Sequence, residues 1–150
     1  MMTLGEISRE RVKKHAEIFT PAGTVFEMIT QAGMRKNLQA VDNTMFDPAV
    51  GQGQFPCAEL VWKMFYNIDK LDEELALRAL QSLYAMDIQH DNVIKTREHL
   101  IATICDAYKF FTGNDFTRID DAFYIVFDNI VCGDSLEFMR KQTQPQLELF

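Results

Sequence analysis

The 150 residues carry 15 Lys and Arg against 22 Asp and Glu, a formal charge of −7 with pI near 4.9. That balance excludes unaided, non-specific binding to nucleic acid, which needs a basic surface. Hydrophobic content of 47% with 25% charged residues suits one globular domain with its own core, and no apolar run approaches the ~20 residues of a membrane span.

The charged N-terminus is unlike a signal peptide. Cys57, Cys105 and Cys132 are odd in number and widely spaced, which suggests neither a disulfide framework nor a zinc site. They read as reduced core thiols of a cytoplasmic protein. His15, His90 and His99 also lack ligand spacing and read as partly exposed helix or loop residues.

In chain order, residues 4–15 have the pattern of a short amphipathic helix, with Leu4, Ile7 and Val12 inward and Arg9, Arg11, Lys13 and Lys14 outward. A second helical pattern starts at Pro21 and runs through Val25, Met28, Ile29 and Ala32. Thr20 is its natural N-cap, and Ile18 and Phe19 can staple onto it. Thr44 to Phe55, TMFDPAVGQGQF, then reads as strand, glycine turn and helix start. Phe55, Ala58, Val61, Trp62 and Phe65 share one face of a helix from Gln54 to about Asn67. A helix is expected over 69–81, a strand over Leu83–Met86 closed by Asp87 and Ile88, and a helix over 92–104 that Tyr108 to Phe111 extend or pack against. Residues 113–121 read as a polar loop and 123–132 as a strand interrupted at Asp128 and Asn129. Leu136 to Met139 can form a helical turn.

A lone Gly-x-Gly leaves two readings open, a purely conformational turn and a ligand cradle. Asp47 ahead of Gly51 and Gly53 would repel a pyrophosphate but accept from an ammonium group or from ribose hydroxyls. Asp47, Asp87 and Asp134 each close a strand, and helical patterns separate the strands. The sheet is therefore expected to be parallel, with the three acids on the one edge where α/β ligands bind. At the second strand an acid suits ribose hydroxyls, and at the third the exocyclic amine of an adenine. Asp134 before Ser135 also has the form of a helix cap. Together the three favour a nucleoside ligand.

HAEIFTP, FDPAVGQGQF, LYAMDI and NIVCGDSL, in that order over roughly residues 13–138, resemble the N-terminal half of S-adenosylmethionine-dependent adenine-N6 DNA methyltransferases, including type I modification subunits. The resemblance implies a partial Rossmann-like α/β fold over residues 1–140, with a three-stranded parallel core. It implies that Phe19, Thr20 and Pro21 line the methionine end of S-adenosylmethionine. Asp47, Pro48, Gly51 and Gly53 would wrap its amino-acid portion, Asp87 would hold the ribose, Ile88 would pack on the adenine, and Asp134 would accept from its amine beside Leu136. The family's catalytic Asn/Asp-Pro-Pro-aromatic motif does not follow Asp134. The expected role is thus the cofactor-binding part of a methyltransferase-like protein that takes its catalytic loop and DNA reader from another chain. The alternative is a non-catalytic interaction or regulatory module.

In the full family fold a further strand flanks the first one on its far side. Without it, Met45 to Ala49 form an apolar edge, so a homodimer or a second methyltransferase chain is expected there, unless residues 122–128 fold over it. The tail at 141–150 ends in Gln146-Leu147-Glu148-Leu149-Phe150. It resembles the peptide, commonly Gln-Leu-Ser/Asp-Leu-Phe, by which bacterial polymerases and repair proteins hook onto the replicative sliding clamp. Gln146, Leu147, Leu149 and Phe150 match it. Such a hook would bring a protein of this charge to DNA indirectly. The other reading has these apolar residues folding back on the domain.

Overall fold

A computed structural model describes residues 34–143. Met34–Gln39 forms α1, Met45–Asp47 β1, Gln54–Tyr66 α2, Glu73–Gln81 α3 and Leu83–Asp87 β2. His90–Thr112 forms α4, Ile119–Asn129 α5, Ile130–Cys132 β3 and Ser135–Thr143 α6. The architecture is α/β. Three parallel strands lie in the order β1-β2-β3 with helices flanking them, and β1 is an edge of this sheet among the described residues. The helical patterns expected over 4–15 and from Pro21, and the tail at 144–150, lie outside the described residues.

One face of the sheet carries Met45, Leu83, Ala85 and Ile130. It packs against a core of Leu60, Val61, Met64, Leu80, Leu100 and Ile104, all within 1% of complete burial. Helix α2 is the centre of that core. Instead of burying one face, every residue from Pro56 to Met64 is buried, because α1, α3, α4 and the sheet surround it. Pro56 is tolerated because it lies in the first turn, where an N–H has no intrahelical acceptor.

The opposite face presents Phe46, Tyr84, Met86 and Val131. Phe138 of α6 packs on Phe46 with ring centroids 5.8 Å apart, and a groove of about 440 Å³ runs between them. Residues 122–128 do not cover β1. They are helical and pack on α3 and α4.

Several expectations are corrected. The strand over 123–132 is a helix to Asn129, and only Ile130–Cys132 is extended. Its aromatic and β-branched residues favour a strand locally, but Ala122, Val126 and Asn129 recur at helical spacing and bury against neighbouring helices. Consequently the polar loop ends at Arg118 rather than at Asp121. The helix over 69–81 is a 3₁₀ turn at Ile68–Lys70, an extended Leu71 and then α3. Asp72 is the N-cap of α3, accepting from Leu75 N at 2.8 Å. Helix α4 runs on through Tyr108 to Phe111 and stops at Gly113 (φ 77°), whose N–H closes on Lys109 O at 2.8 Å. Of the cysteines only Cys57 is a buried core thiol; Cys105 is half-buried and Cys132 exposed.

Candidate functional site

The C-terminal ends of the three parallel strands define the site. Asp47 pairs with Ala85 and Asp87 with Cys132, so the acids step diagonally, each two residues further along than the last. That stagger raises Asp87 about 6–7 Å above Asp47 along the strand direction. Asp47, Pro48, Gly51, Gly53 and Asp87 come together around the turn between β1 and α2. Phe19, Thr20 and Pro21, and likewise Gln146, Leu147, Leu149 and Phe150, lie outside the described residues.

The turn is pinned from two sides. Val50 N donates to Met86 O at 3.0 Å, and Gly51 N donates to Asp87 Oδ2 at 2.9 Å. From α4, Thr96 Oγ1 donates to Gly51 O at 3.0 Å, and His99 Nδ1 lies 2.6 Å from Gln52 O. Because that carbonyl only accepts, Nδ1 must carry the proton. The two glycines serve different ends. Gly53 (φ 93°) lies so close to α4 that a Cβ there would sit 2.9 Å from Thr96 Cγ2, whereas a Cβ on Gly51 (φ 59°) would meet nothing within 4 Å. Gly53 permits close packing, and Gly51 only needs its backbone conformation.

The two central acids differ in their electrostatics. Burial raises the pKa of Asp47, outweighing the Ala49 N–H that donates to its Oδ1 at 3.1 Å; the negative charge of Asp87 adds to the rise. Burial also works to raise Asp87. There, however, Gln89 N at 2.8 Å, Gly51 N and Asn92 Nδ2 at 3.2 Å together prevail and hold the carboxyl below its ordinary value. A carboxylate has about four acceptor positions, so Asp87 retains about one for an external donor.

Ile88 stands exposed beyond Asp87, and Leu136 is exposed as well. Asp134 Oδ1 accepts from Leu136 N at 3.0 Å and Glu137 N at 3.3 Å, so this acid caps α6. The β2 and β3 ends are tied where Gly133 N donates to Asp87 O at 3.0 Å, which puts Asp134 beside the same edge.

No protein-family model, curated protein or solved structure matches the chain. Among the described residues, no group of three or more His, Cys, Asp or Glu side chains could hold a metal ion, and no helix is long and apolar enough to cross a membrane.

Two buried ionisable residues of α2, Glu59 and Lys63, are not apparent from the sequence. Lys63 is 0% exposed, and its ammonium donates to Val41 O at 3.1 Å, Asn43 O at 2.6 Å and Ser82 Oγ at 2.7 Å, stitching the starts of β1 and β2 to α2. Burial lowers its pKa to about 8, against the charges of Glu59 and Asp42. Glu59, one turn earlier, is 7% exposed; burial and then the charge of Asp47 push its pKa up to about 8, opposed by Lys63. The available signal was a Glu and a Lys four apart in an otherwise apolar helix. That pattern usually marks a solvated stripe.

Proposed function

We propose that this chain binds S-adenosylmethionine as the cofactor-binding part of a DNA adenine methyltransferase-like protein with a partial Rossmann-like fold, and that catalysis needs another chain. The observation that carries the reading is the hydrogen bond from Gly51 N to Asp87. It locks a glycine turn against the acid ending the central strand of a parallel sheet, beside Asp47. The charge pattern fits the group. Acids gather at this edge, while the one buried ammonium among the described residues, on Lys63, is committed at the opposite end of β1. A sulfonium ligand with an amino acid and a ribose suits such a site; a phosphate does not.

On this reading Asp47, Pro48, Gly51 and Gly53 hold the amino-acid portion, with Phe19, Thr20 and Pro21 at the methionine end. Asp87 holds the ribose through its remaining acceptor position, and Ile88 and Leu136 supply apolar contacts near the base. Asp134 reaches its amine only with the acceptor capacity that capping leaves. When bound, the cofactor supplies a transferable methyl group. On this reading the chain's own residues bind and orient it, and the pocket for an extruded base comes from the other chain. Isothermal titration of the full chain with S-adenosylhomocysteine tests this: saturable binding is expected, and absence of heat at millimolar ligand overturns it.

The partner reading is supported by β1 lying at the sheet edge among the described residues. A second copy or a methyltransferase chain would pair there. Gln146, Leu147, Leu149 and Phe150 would engage a sliding clamp, raising local concentration near DNA. That tail also supports the alternative role, a non-catalytic module acting at the clamp.

A further inference from the structure

Three donors of the protein already hold Asp87, the acid to which the ribose is assigned. Its Oδ1 accepts from Gln89 N at 2.8 Å and from Asn92 Nδ2 at 3.2 Å, and its Oδ2 accepts from Gly51 N at 2.9 Å. Each carboxylate oxygen has about two acceptor positions, so Oδ1 is full and Oδ2 has at most one left. A ribose offers two vicinal hydroxyl donors. To grip both, Asp87 must give up one of its three bonds, and the three differ in how firmly they are held. Gln89 N belongs to backbone that the first bond of α4, from Val93 N to Gln89 O at 3.3 Å, fixes in place. Gly51 N sits in a turn pinned by Val50 N on Met86 O, Gly53 N on Val50 O and Thr96 Oγ1 on Gly51 O. Asn92 Nδ2 ends a half-buried side chain with two rotatable bonds in the first turn of α4, and its contact is the longest of the three. Its other contact, with Gln89 Oε1 at 3.5 Å, is at the limit of hydrogen bonding. Turning Asn92 aside takes a rotamer change, whereas moving either backbone group disrupts a turn or a helix start.

We propose that Asn92 is a specificity-determining residue of this site: its carboxamide occupies the Asp87 Oδ1 position that the second ribose hydroxyl takes, and yields it when a ligand with a vicinal diol binds. The inference rests on the cofactor reading above and names the residue that sets the cost of gripping the diol. One hydroxyl donates to Oδ2, beside Gly51 N, and the other to Oδ1 in place of Asn92 Nδ2. Gly51 N and Gln89 N keep their bonds, so the turn and the start of α4 stay as they are. No proton changes hands, because one neutral donor replaces another on a carboxylate that remains ionised. Before the ligand arrives, Asn92 supports that charge, being one of the donors that hold the carboxyl below its ordinary value. A ligand without the diol leaves Asn92 in place.

The experiment is calorimetry of the full chain, wild type and Asn92→Ala, with S-adenosylhomocysteine and its 2′,3′-dideoxy counterpart. A residue that only oriented Asp87 would weaken binding when removed. A group that must be displaced does the reverse. Asn92→Ala is expected to bind S-adenosylhomocysteine about three- to tenfold more tightly, the net strength of one hydrogen bond, and the dideoxy ligand as the wild type does. In the wild type labelled with nitrogen-15, the Asn92 side-chain amide proton should move upfield as it leaves the carboxylate on saturation with S-adenosylhomocysteine, but not with the dideoxy ligand. Weaker or unchanged binding of S-adenosylhomocysteine by the variant overturns the role of Asn92 and leaves the cofactor reading standing. Equal tightening of both ligands also overturns that role. Failure of S-adenosylhomocysteine to bind the wild type overturns both. If the variant does not fold, or the dideoxy ligand binds too weakly to measure, the wild-type resonance decides with S-adenosylhomocysteine alone, and its staying in place at saturation overturns the proposal.

Discussion

Gly53→Ala probes the packing on which the site is built. At φ 93° a side chain is strained whatever surrounds it, and the new Cβ would stand 2.9 Å from Thr96 Cγ2 and 3.2 Å from Thr96 Cα. Backbone strain of this kind costs about 1–3 kcal/mol. Forcing an extra methyl into a packed contact costs about 1–3 kcal/mol more. Reduced freedom of the unfolded chain returns roughly 0.4–1 kcal/mol. The net is a loss of about 3 kcal/mol. Gly51→Ala bears the strain alone, because nothing lies within 4 Å of its Cβ. It should cost about 1 kcal/mol, from the ~1–2 kcal/mol of a left-handed residue less the same unfolded-state gain. Urea denaturation of both variants measures the difference. Thr96→Ser in the Gly53→Ala background removes Cγ2 but keeps the hydroxyl that holds Gly51 O, and should recover about 1 kcal/mol as a coupling term. Equal losses at the two glycines, or no coupling to Thr96, would refute the close approach of turn and helix.

The remaining expectations concern charge, activity and partners. Lys63→Met strands three acceptors and should destabilise by about 3 kcal/mol in denaturant titrations, a buried unmet group costing roughly 1–3 kcal/mol. Glu59 has a folded pKa of about 8, above its unfolded value, so the stability gained from keeping it protonated is complete below about pH 4.3 and is lost as pH rises towards 8. Thermal melts of Glu59→Gln against wild type should therefore diverge in the variant's favour between pH 5 and 8, on the order of 2–4 kcal/mol. Asp87 is displaced the other way, so its contribution holds above the ordinary carboxylate range and fades only as pH falls through its depressed value. Asp87→Ala should cost about 2–4 kcal/mol of stability, from bonds to a charged acceptor, and weaken S-adenosylhomocysteine binding on calorimetry. The purified chain alone should transfer no labelled methyl to mixed-sequence DNA; incorporation above background would show that no second chain is required. Leu149→Ala with Phe150→Ala should abolish retention on immobilised clamp while the circular dichroism is unchanged, and equal retention would remove the hook.

Much of this protein is written locally. Apolar runs closed by Asp47 and Asp87 specify β1 and β2, because the residues that pack the inner face on the core are apolar and a carboxyl group interrupts that run. Two glycines followed by an apolar helical pattern announce the turn and α2, and the parallel order of strands follows from the helices between them. Helix α5 was not legible, since Phe123, Tyr124, Ile125, Val126 and Phe127 suit a strand until α3 and α4 offer Ala122 and Val126 a surface to bury against. Nor does any local pattern show that Asp87 accepts from Gly51, 36 residues away, or that Gly53 is required by Thr96 rather than by the turn alone. The same holds for Glu59 and Lys63, whose spacing suits a solvated helix face. Only the enclosure of α2 by three helices and the sheet removes their water. Charge near the site is thus set by which side chains the fold desolvates, and desolvation is a property of the assembled layers rather than of any one segment.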